Sequence, residues 1–314
     1  MAGKCGKFEH LIRKCKNISP VPTAVVHPCD GISLSSALDA AQAKIILPVL
    51  VGPRARIEAT AAKFHLDISP YEILDTPHSH ASAAEAVRLA REGRAEMLMK
   101  GSLHTDELMG AVVRSDTGLR TERRVSHAFI MNVPQLKRVI IITDAAINIF
   151  PTLEDKKHII QNAIDLSAAL GLKEPKVAIL SAMETVSLKV PSTVEAAALC
   201  KMADRGQITG GILDGPLALD NAVSLSAAKI KNISSPVAGQ ADILIAPDLE
   251  AGNMLAKSLT FLADAEAAGI VLGARIPIVL TSRADSVKMR LASCAIGALA
   301  ALARRENTKK ALAQ

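Results

Sequence analysis

Short, continuous runs of apolar residues recur along the whole chain and constrain its fold more than any other feature. Nine of them lie at residues 22–27, 44–52, 96–99, 138–143, 176–181, 210–214, 242–246, 269–273 and 277–282. They lack the alternation of apolar and polar residues that a half-exposed strand shows, so they predict fully buried parallel strands. Helical patterns lie between them, which is typical of an α/β fold with mainly parallel sheets.

Two of the helical patterns carry recognisable end signals. In the first, Thr152 is a candidate N-cap, Asp155 follows three residues later, and Gly171 stands after the last apolar position. In the second, Ser192 would cap the helix and Glu195 would complete a capping box. Such residues satisfy the free N–H groups of a first turn or permit the left-handed conformation at a helix end. The spacing therefore predicts a helix after each cap.

Length and composition point to two domains and a small anionic ligand. The chain has 314 residues, 49% of them hydrophobic, and single cores usually stop growing somewhat below this length. The net charge of +6 suits an anion, but basic and acidic residues are interspersed and aromatic residues make up only 2%. The chain therefore has almost no aromatic side chains on which nucleic-acid bases could stack. The composition therefore argues against a nucleic-acid partner.

The cysteines and the N-terminal residues bear on the compartment. The chain has five cysteines, which form no CxxC pair and cannot all pair internally, namely Cys5, Cys15, Cys29, Cys200 and Cys294. Residues 1–17 lack the apolar core of a secretory signal, and no stretch is apolar for the length that a bilayer crossing needs. We therefore expect a cytoplasmic protein with no membrane partner.

Polar residues cluster just after several of the predicted strands, where open parallel sheets bind their ligands near the free N–H groups of the next helix. The candidates are Lys100, Gly101, His104 and Thr105 after the run at 96–99; Asp144 and Asn148 after 138–143; Ser282, Arg283 and Asp285 at and just after the end of 277–282; and Arg124, Ser126 and His127 in the polar run at 120–127. Together they predict an anion-binding site.

The junction with Ser282 and Arg283 carries the sharpest chemistry. Arginine holds phosphate oxygens bidentately, and a serine hydroxyl stabilises charge that develops on an acyl oxygen or a leaving sulfur. Each candidate also has a structural alternative. A serine–arginine pair at a strand end is often a cap and a surface charge, Asp285 and Asp144 stand where caps are needed, and Lys100 suits a solvated position.

Several common motifs are missing. The chain has no GxxxxGK[ST], no GxGxxG after a strand, no GxSxG and no HExxH. His78 and His80 have no third ligand at a recognisable spacing, so no metal site is predicted. These absences argue against nucleoside triphosphate, dinucleotide, serine hydrolase and zinc protease chemistry.

Six blocks in order resemble the phosphate acetyl/butyryltransferase family over nearly the whole chain. They are MKGSLHT at 99–105, RRVSHAF at 123–129, TDAAIN at 143–148, KVAILSAMET at 176–185, PDLEAGNM at 247–254 and PIVLTSRADS at 277–286. The resemblance implies two three-layer αβα domains with a cleft between them, similar to isopropylmalate dehydrogenases. The implied domains are 1–148 with 274–314, and 149–273, in a chain that forms a homodimer.

The same resemblance implies a reaction: acyl-CoA and inorganic phosphate give acyl phosphate and coenzyme A, without a metal or redox cofactor. The family's serine–arginine pair falls on Ser282 and Arg283. Acetyl-specific members carry an aspartate as the thiol base where this chain has Met289, so either Asp285 takes part or the positive field lowers the thiol pKa. We expect acetyl to be favoured, although SRADS and the stretch at 214–222 look closer to butyryltransferases.

Two other functions remain open at this point. The implied fold is shared with NAD-dependent dehydrogenases of the isopropylmalate type, which need a lysine–tyrosine pair, yet Tyr71 is the only tyrosine. The loss of the acidic residue at Met289 suggests instead a sensor that binds coenzyme A or acyl phosphate without turnover.

Overall fold

Each of the nine apolar runs overlaps a strand in the computed structural model, which describes residues 6–281 and 285–312. The strands within those residues are β1 (Val21–Val26), β2 (Ile46–Gly52), β3 (Ile73–Asp75), β4 (Met97–Lys100), β5 (Ser126–Asn132), β6 (Ile140–Thr143), β7 (Lys176–Leu180), β8 (Ile212–Leu217), β9 (Ile243–Ile245), β10 (Glu266–Leu272) and β11 (Ile278–Val279). The α/β prediction is confirmed.

Helices separate most of these strands. They are α1 (Lys7–Cys15), α2 (Gly31–Gln42), α3 (Arg54–Lys63), α4 (Ser79–Arg91), α5 (Thr105–Val112), α6 (Leu153–Leu170), α7 (Pro191–Asp204), α8 (Leu219–Val223), α9 (Leu225–Ile230), α10 (Leu249–Leu262) and α11 (Val287–Leu312). No helix in the described part of the chain is long and apolar enough to cross a membrane.

The chain divides into two units, one of residues 1–123 and 268–314 and the other of residues 124–267. The domain bounds expected from the sequence, 1–148 with 274–314 and 149–273, stay a prediction.

In the first unit the strand order is β3-β2-β1-β4-β11-β10, and every neighbouring pair is parallel except β10 with β11. Strand β1 is buried along almost its whole length, as its continuous apolar run predicts. Helix α11 packs on α1, where the Cys15 thiol donates a hydrogen bond to the carbonyl oxygen of Ala295 at 3.4 Å.

In the second unit the order is β5-β6-β9-β7-β8, and only β5 with β6 is antiparallel. Strand β6 is buried at all four positions. The strand pairs within each unit are thus mainly parallel, as the apolar runs indicate.

One of the two helix caps is confirmed and the other is wrong. The Thr152 hydroxyl accepts a hydrogen bond from the Asp155 N–H at 3.2 Å, the Asp155 carboxylate accepts from the Thr152 N–H at 3.0 Å, and α6 ends at Gly171 with φ of 101°. Ser192, by contrast, lies inside α7, which starts at Pro191 because the fixed φ of proline suits a first helical position. Its hydroxyl bonds to that of Ser181 at 2.8 Å.

Candidate functional site

The first unit has a topological switch point between β1 and β4. From β1 the chain runs through α2 and α3 to β2 and β3 on one side, then returns through α4 to β4 on the other side. The connections leave the sheet in opposite directions, so a crevice opens at the carboxyl ends of β1 and β4. The candidate residues from Lys100 to Thr105 follow β4 at this crevice.

The loop after β4 is tied closely to the loop after β1. Gly101 N–H donates to the carbonyl oxygen of Val26 at 2.8 Å, and Ser102 N–H to that of His27 at 3.0 Å. The Ser102 hydroxyl also donates to the His27 carbonyl oxygen at 2.8 Å and accepts from the Cys29 N–H at 3.3 Å. Gly101 therefore allows the backbone after β4 to lie close to the backbone after β1.

We expect Gly101→Ala to lower the free energy of unfolding by about 2 kcal/mol, because the added Cβ would overpack a rigid contact. It would lie 2.3 Å from the Val26 carbonyl oxygen and 2.6 Å from that of His27. Urea denaturation followed by circular dichroism measures the change. In Gly110→Ala nothing lies within 4 Å of the new Cβ, and this helical control should be stabilised by about 0.5–1 kcal/mol. Equal stability of the two variants would contradict the tight contact.

A pocket of about 340 Å³ lies in this crevice. Its polar lining includes His27 and Asp30 after β1, Ser102, His104 and Glu107 after β4, and Arg56 from α3. Of the site residues predicted in this unit, His104 lines the pocket. Neither His27 nor Arg56 stands out in the sequence, because they lie 29 residues apart and meet only through the pairing of β1 with β2.

His27 is buried and neutral. His27 is 4% exposed and has a positive φ of 57°. Nδ1 lies 3.0 Å from the Ser82 hydroxyl and Nε2 lies 3.3 Å from Arg56 Nη1. A guanidinium only donates, so Nε2 accepts and the ring proton stands on Nδ1. Burial first, and the Arg56 charge second, lower the pKa of His27.

The other candidates of this segment are His104 and Thr105, at the start of α5, and Lys100 before them. His104 is the N-cap residue, and its N–H donates to the Glu107 carboxylate at 2.8 Å. Glu107 also accepts from the Ser79 hydroxyl at 2.5 Å, and these hydrogen bonds lower its pKa. Thr105 is exposed, and the half-buried Lys100 ammonium lies 3.4 Å from the Gly101 carbonyl oxygen.

In the second unit, Asp144 shapes the loop that follows β6. Its Oδ1 accepts hydrogen bonds from the N–H groups of Ala146 and Ile147 at 2.8 and 3.0 Å. Its Oδ2 accepts from Asn148 Nδ2 at 2.5 Å and from the His127 N–H at 3.3 Å. The residue is 3% exposed. Asp144 thus serves the turn-capping role left open by the sequence, and its contact with substrate stays a prediction.

Asn148 connects this buried loop to Arg124. Its Nδ2 donates to the Val125 carbonyl oxygen at 2.9 Å, and its Oδ1 accepts from Arg124 Nε at 2.6 Å. The Arg124 side chain is 55% exposed, and its Nε lies 3.5 Å from Asp155. A buried amide therefore orients an exposed guanidinium.

Ser126 and His127, both on β5, are buried. The Ser126 hydroxyl accepts from Asn162 Nδ2 at 2.9 Å. The His127 ring packs edge-on against Phe129 with centroids 4.4 Å apart. Burial lowers the pKa of His127 to about 4, although Asp144 acts in the opposite direction, so the ring is neutral near pH 7. Substrate contacts of these two residues stay predictions.

The predicted catalytic pair, Ser282 and Arg283, lies outside the described residues. Asp285 is half-buried just before α11, and its carbonyl oxygen accepts a hydrogen bond from the guanidinium of Arg290. The N–H of Met289 donates to the Ser286 hydroxyl at 3.3 Å. Met289 is the position at which the resemblance described above implies an aspartate in acetyl-specific members.

No group of three histidine, cysteine, aspartate or glutamate residues within 6–281 and 285–312 is arranged to hold a metal ion. His78 instead caps α4 through Nδ1, which accepts from the Ala81 N–H at 3.3 Å. His80 Nε2 lies 3.3 Å from Glu107.

Known proteins similar to this chain match most of its length. The family model described as "Phosphate acetyl/butaryl transferase" matches residues 78–298. The chain is 64% identical to a phosphate acetyltransferase of Rhizobium meliloti, over 95% of each chain. It is 47% identical to a probable phosphate butyryltransferase of Bacillus subtilis, over 92% of this chain and 96% of the other. A solved branched-chain phosphotransacylase from Enterococcus faecalis has a TM-score of 0.77 and 30% identity, covering 89% of this chain and 98% of its own.

Proposed function

This chain belongs to the phosphate acetyl/butyryltransferase family, and from that premise we propose that it transfers an acetyl group reversibly between coenzyme A and inorganic phosphate. The observation that carries the proposal is the near full-length similarity to the Rhizobium meliloti phosphate acetyltransferase. The lower identity to the Bacillus subtilis protein supports acetyl over butyryl.

The proposed reaction is a direct transfer between two bound substrates. The thiolate sulfur of coenzyme A attacks the carbonyl carbon of acetyl phosphate, the C–S bond forms, and the C–O bond to phosphate breaks. In the reverse direction a phosphate oxygen attacks the thioester and the thiolate leaves. No covalent bond to the protein forms, so catalysis consists of positioning two anions and stabilising a negatively charged tetrahedral transition state.

We assign two kinds of role to the candidate residues. Arg283 holds phosphate oxygens and Ser282 donates to the developing negative charge. Arg124 and Lys100 add positive charge, and His104 and Thr105 contact substrate at the start of α5. The buried residues act through position: Asp144 and Asn148 orient Arg124, the Ser126 hydroxyl bonds to Asn162, the His127 N–H bonds to Asp144, and Gly101 joins two loops.

The thiol proton needs an acceptor. Asp285 is the acidic residue of the SRADS block, and Met289 has no titratable group. We propose that Asp285 accepts the proton or that nearby cations lower the thiol pKa enough for the thiolate to form. No metal or redox cofactor enters this scheme.

A homodimer in the cytoplasm completes the proposal. Exposed apolar side chains on α10, at Met254, Phe261 and Leu262, lie seven and eight residues apart and share a helix face. The cysteines in the described part of the chain are unpaired thiols, as a reducing compartment allows. Light scattering of the purified protein measures the mass.

The assay is phosphate-dependent release of free thiol from acetyl-CoA and butyryl-CoA. We expect turnover that requires phosphate, persists after dialysis against a chelator, and has a higher kcat/KM for acetyl-CoA. A higher kcat/KM for butyryl-CoA would reassign the acyl preference. A folded protein that binds coenzyme A in calorimetry without turning over either thioester would overturn the transferase and favour the sensor.

A further inference from the structure

The helix that follows the SRADS block, α11, carries an arginine whose charge has no counter-ion. Arg290 is half-buried, and no carboxylate of residues 6–281 and 285–312 lies within ion-pair distance of its guanidinium. Two other basic residues of the same helix do have a counter-ion, since Lys288 pairs with Glu9 at 2.7 Å and Arg305 pairs with Glu96. Removing a charge from water costs free energy unless an opposite charge compensates. Arg290 lacks that compensation.

One edge of the Arg290 guanidinium has no acceptor. Nη1 donates to the carbonyl oxygen of Asp285, whereas Nε is buried and makes no hydrogen bond. Nη2 likewise has no hydrogen-bond partner among the residues that the structure describes. Nε and Nη2 together form the side of a guanidinium on which an oxyanion binds through two parallel hydrogen bonds. A buried donor without an acceptor is rare and costly, so this edge indicates a missing oxyanion.

Helix α11 places Arg290 toward the carboxyl ends of two strands of the first unit. Cys294 stands four residues later on the same helix face, and its Sγ lies 3.9 Å from the Sδ of Met99 in β4. Met99 pairs with Val279 of β11, the last strand before α11. Arg290 lies one turn nearer the start of α11, and helical side chains lean toward the N-terminus. Its guanidinium therefore points to the edge at which β4 and β11 end, where open parallel sheets bind their ligands.

The guanidinium is fixed in orientation without being neutralised. Its one acceptor, the Asp285 carbonyl oxygen, is an uncharged group. The first turn of α11 binds the same segment twice more, because the Arg290 N–H donates to the Ser286 carbonyl oxygen at 3.0 Å and the Met289 N–H donates to the Ser286 hydroxyl at 3.3 Å. An anion would thus meet an edge that is already oriented, which reduces the entropy lost on binding.

On the basis of the proposed function, we propose that the Nε–Nη2 edge of Arg290 binds two oxygens of the reacting phosphate group, in inorganic phosphate or in acetyl phosphate. Phosphate oxygens match the spacing of this edge. Coenzyme A also carries phosphates, but Arg290 follows Arg283, to which we assign the reacting phosphate, by only seven residues. Arg290 is thus a second arginine for the same anion.

The kinetic test measures initial rates of thiol release with phosphate and acetyl-CoA varied in turn. We expect Arg290→Gln to raise the KM for phosphate about tenfold, the loss of charge-assisted hydrogen bonds, and to leave the KM for acetyl-CoA unchanged. Arg290→Lys keeps the charge without the edge, so its KM for phosphate should rise by about threefold. The matched control Arg305→Gln, on the same helix, should change neither KM.

Three kinetic outcomes would overturn the assignment. A raised KM for acetyl-CoA with an unchanged KM for phosphate would give the edge to a phosphate of coenzyme A. A lower kcat with both KM values unchanged would leave Arg290 only as a support for the Asp285 carbonyl. No change in either variant would remove any role in substrate binding. Circular dichroism checks the fold, and Arg290→Lys carries the test if Arg290→Gln does not fold.

A binding test needs no turnover and so separates this proposal from the reaction itself. Thermal unfolding is followed at increasing concentrations of inorganic phosphate, with sodium chloride keeping the ionic strength constant. Bound phosphate raises the midpoint, and we expect Arg290→Gln to need about tenfold more phosphate than wild type or Arg305→Gln for the same shift. Phosphate salts also stabilise proteins nonspecifically, but that effect is common to all three proteins. If this difference appears in a protein without transferase activity, the phosphate site stands and the proposed function fails. Equal shifts in all three proteins would remove the site.

Discussion

Replacing Asp144 with alanine is expected to lower the free energy of unfolding by about 4 kcal/mol, because several buried donors lose their acceptor together. The donors are the N–H groups of Ala146 and Ile147 and the side-chain amide of Asn148. Water does not reach this loop easily, since both Asp144 and Asn148 are buried. Urea denaturation monitored by circular dichroism measures the loss as a lower midpoint with an unchanged slope.

Two further variants make this result specific to the carboxylate. Asp144→Asn keeps one acceptor for Ala146 and Ile147 but turns an amide donor toward Asn148, so we expect about half the loss. Asp204→Ala removes an exposed carboxylate that forms an ion pair with Lys201 three residues away, and it should leave the midpoint unchanged. If Asp144→Ala unfolded at the wild-type midpoint, the loop after β6 would not depend on its buried carboxylate.

The strands were the part of the fold most open to prediction from sequence. In a parallel sheet covered on both sides every strand residue meets apolar neighbours. Each strand therefore appears in a single sequence as a continuous apolar run. Two strands were missed for different reasons. β3 has only three residues, Ile73–Asp75, at the edge of the sheet. β5 begins with the polar residues Ser126 and His127, whose burial no apolar pattern signals.

The loops that form the site could be predicted from the sequence, but the hydrogen-bond partners of the site residues could not. Strand ends with polar residues pointed to the segments after β4 and β6, and the structure places Gly101 and Asp144 there. Most of their hydrogen bonds, however, join them to backbone groups, which no side-chain pattern reveals. The pair of His27 and Arg56 depends on β1 lying beside β2 and on a positive φ at His27. Both are consequences of the assembled sheet.

Arg283→Ala is expected to reduce kcat/KM for phosphate-dependent thiol release by about 10³-fold, because a fixed cation that meets developing negative charge is among the largest single contributions to catalysis. Arg283 belongs to the SRADS block that matches the family's serine–arginine pair. Arg283→Lys keeps the charge but loses the planar fork, so we expect a loss of about tenfold to a hundredfold. Initial rates with acetyl-CoA at varied phosphate give both values.

Arg275 supplies the control for this variant. Arg275 is exposed, follows β10, and has no proposed role in the site, so Arg275→Ala should retain wild-type kcat/KM. Circular dichroism must show that all variants are folded. A folded Arg283→Ala with wild-type kinetics would mean that phosphate is held by other cations, of which Arg124 is the first to replace. If instead the loss appears only as a raised KM for phosphate, Arg283 binds the ground state and transition state equally, and the rate enhancement must come from other groups.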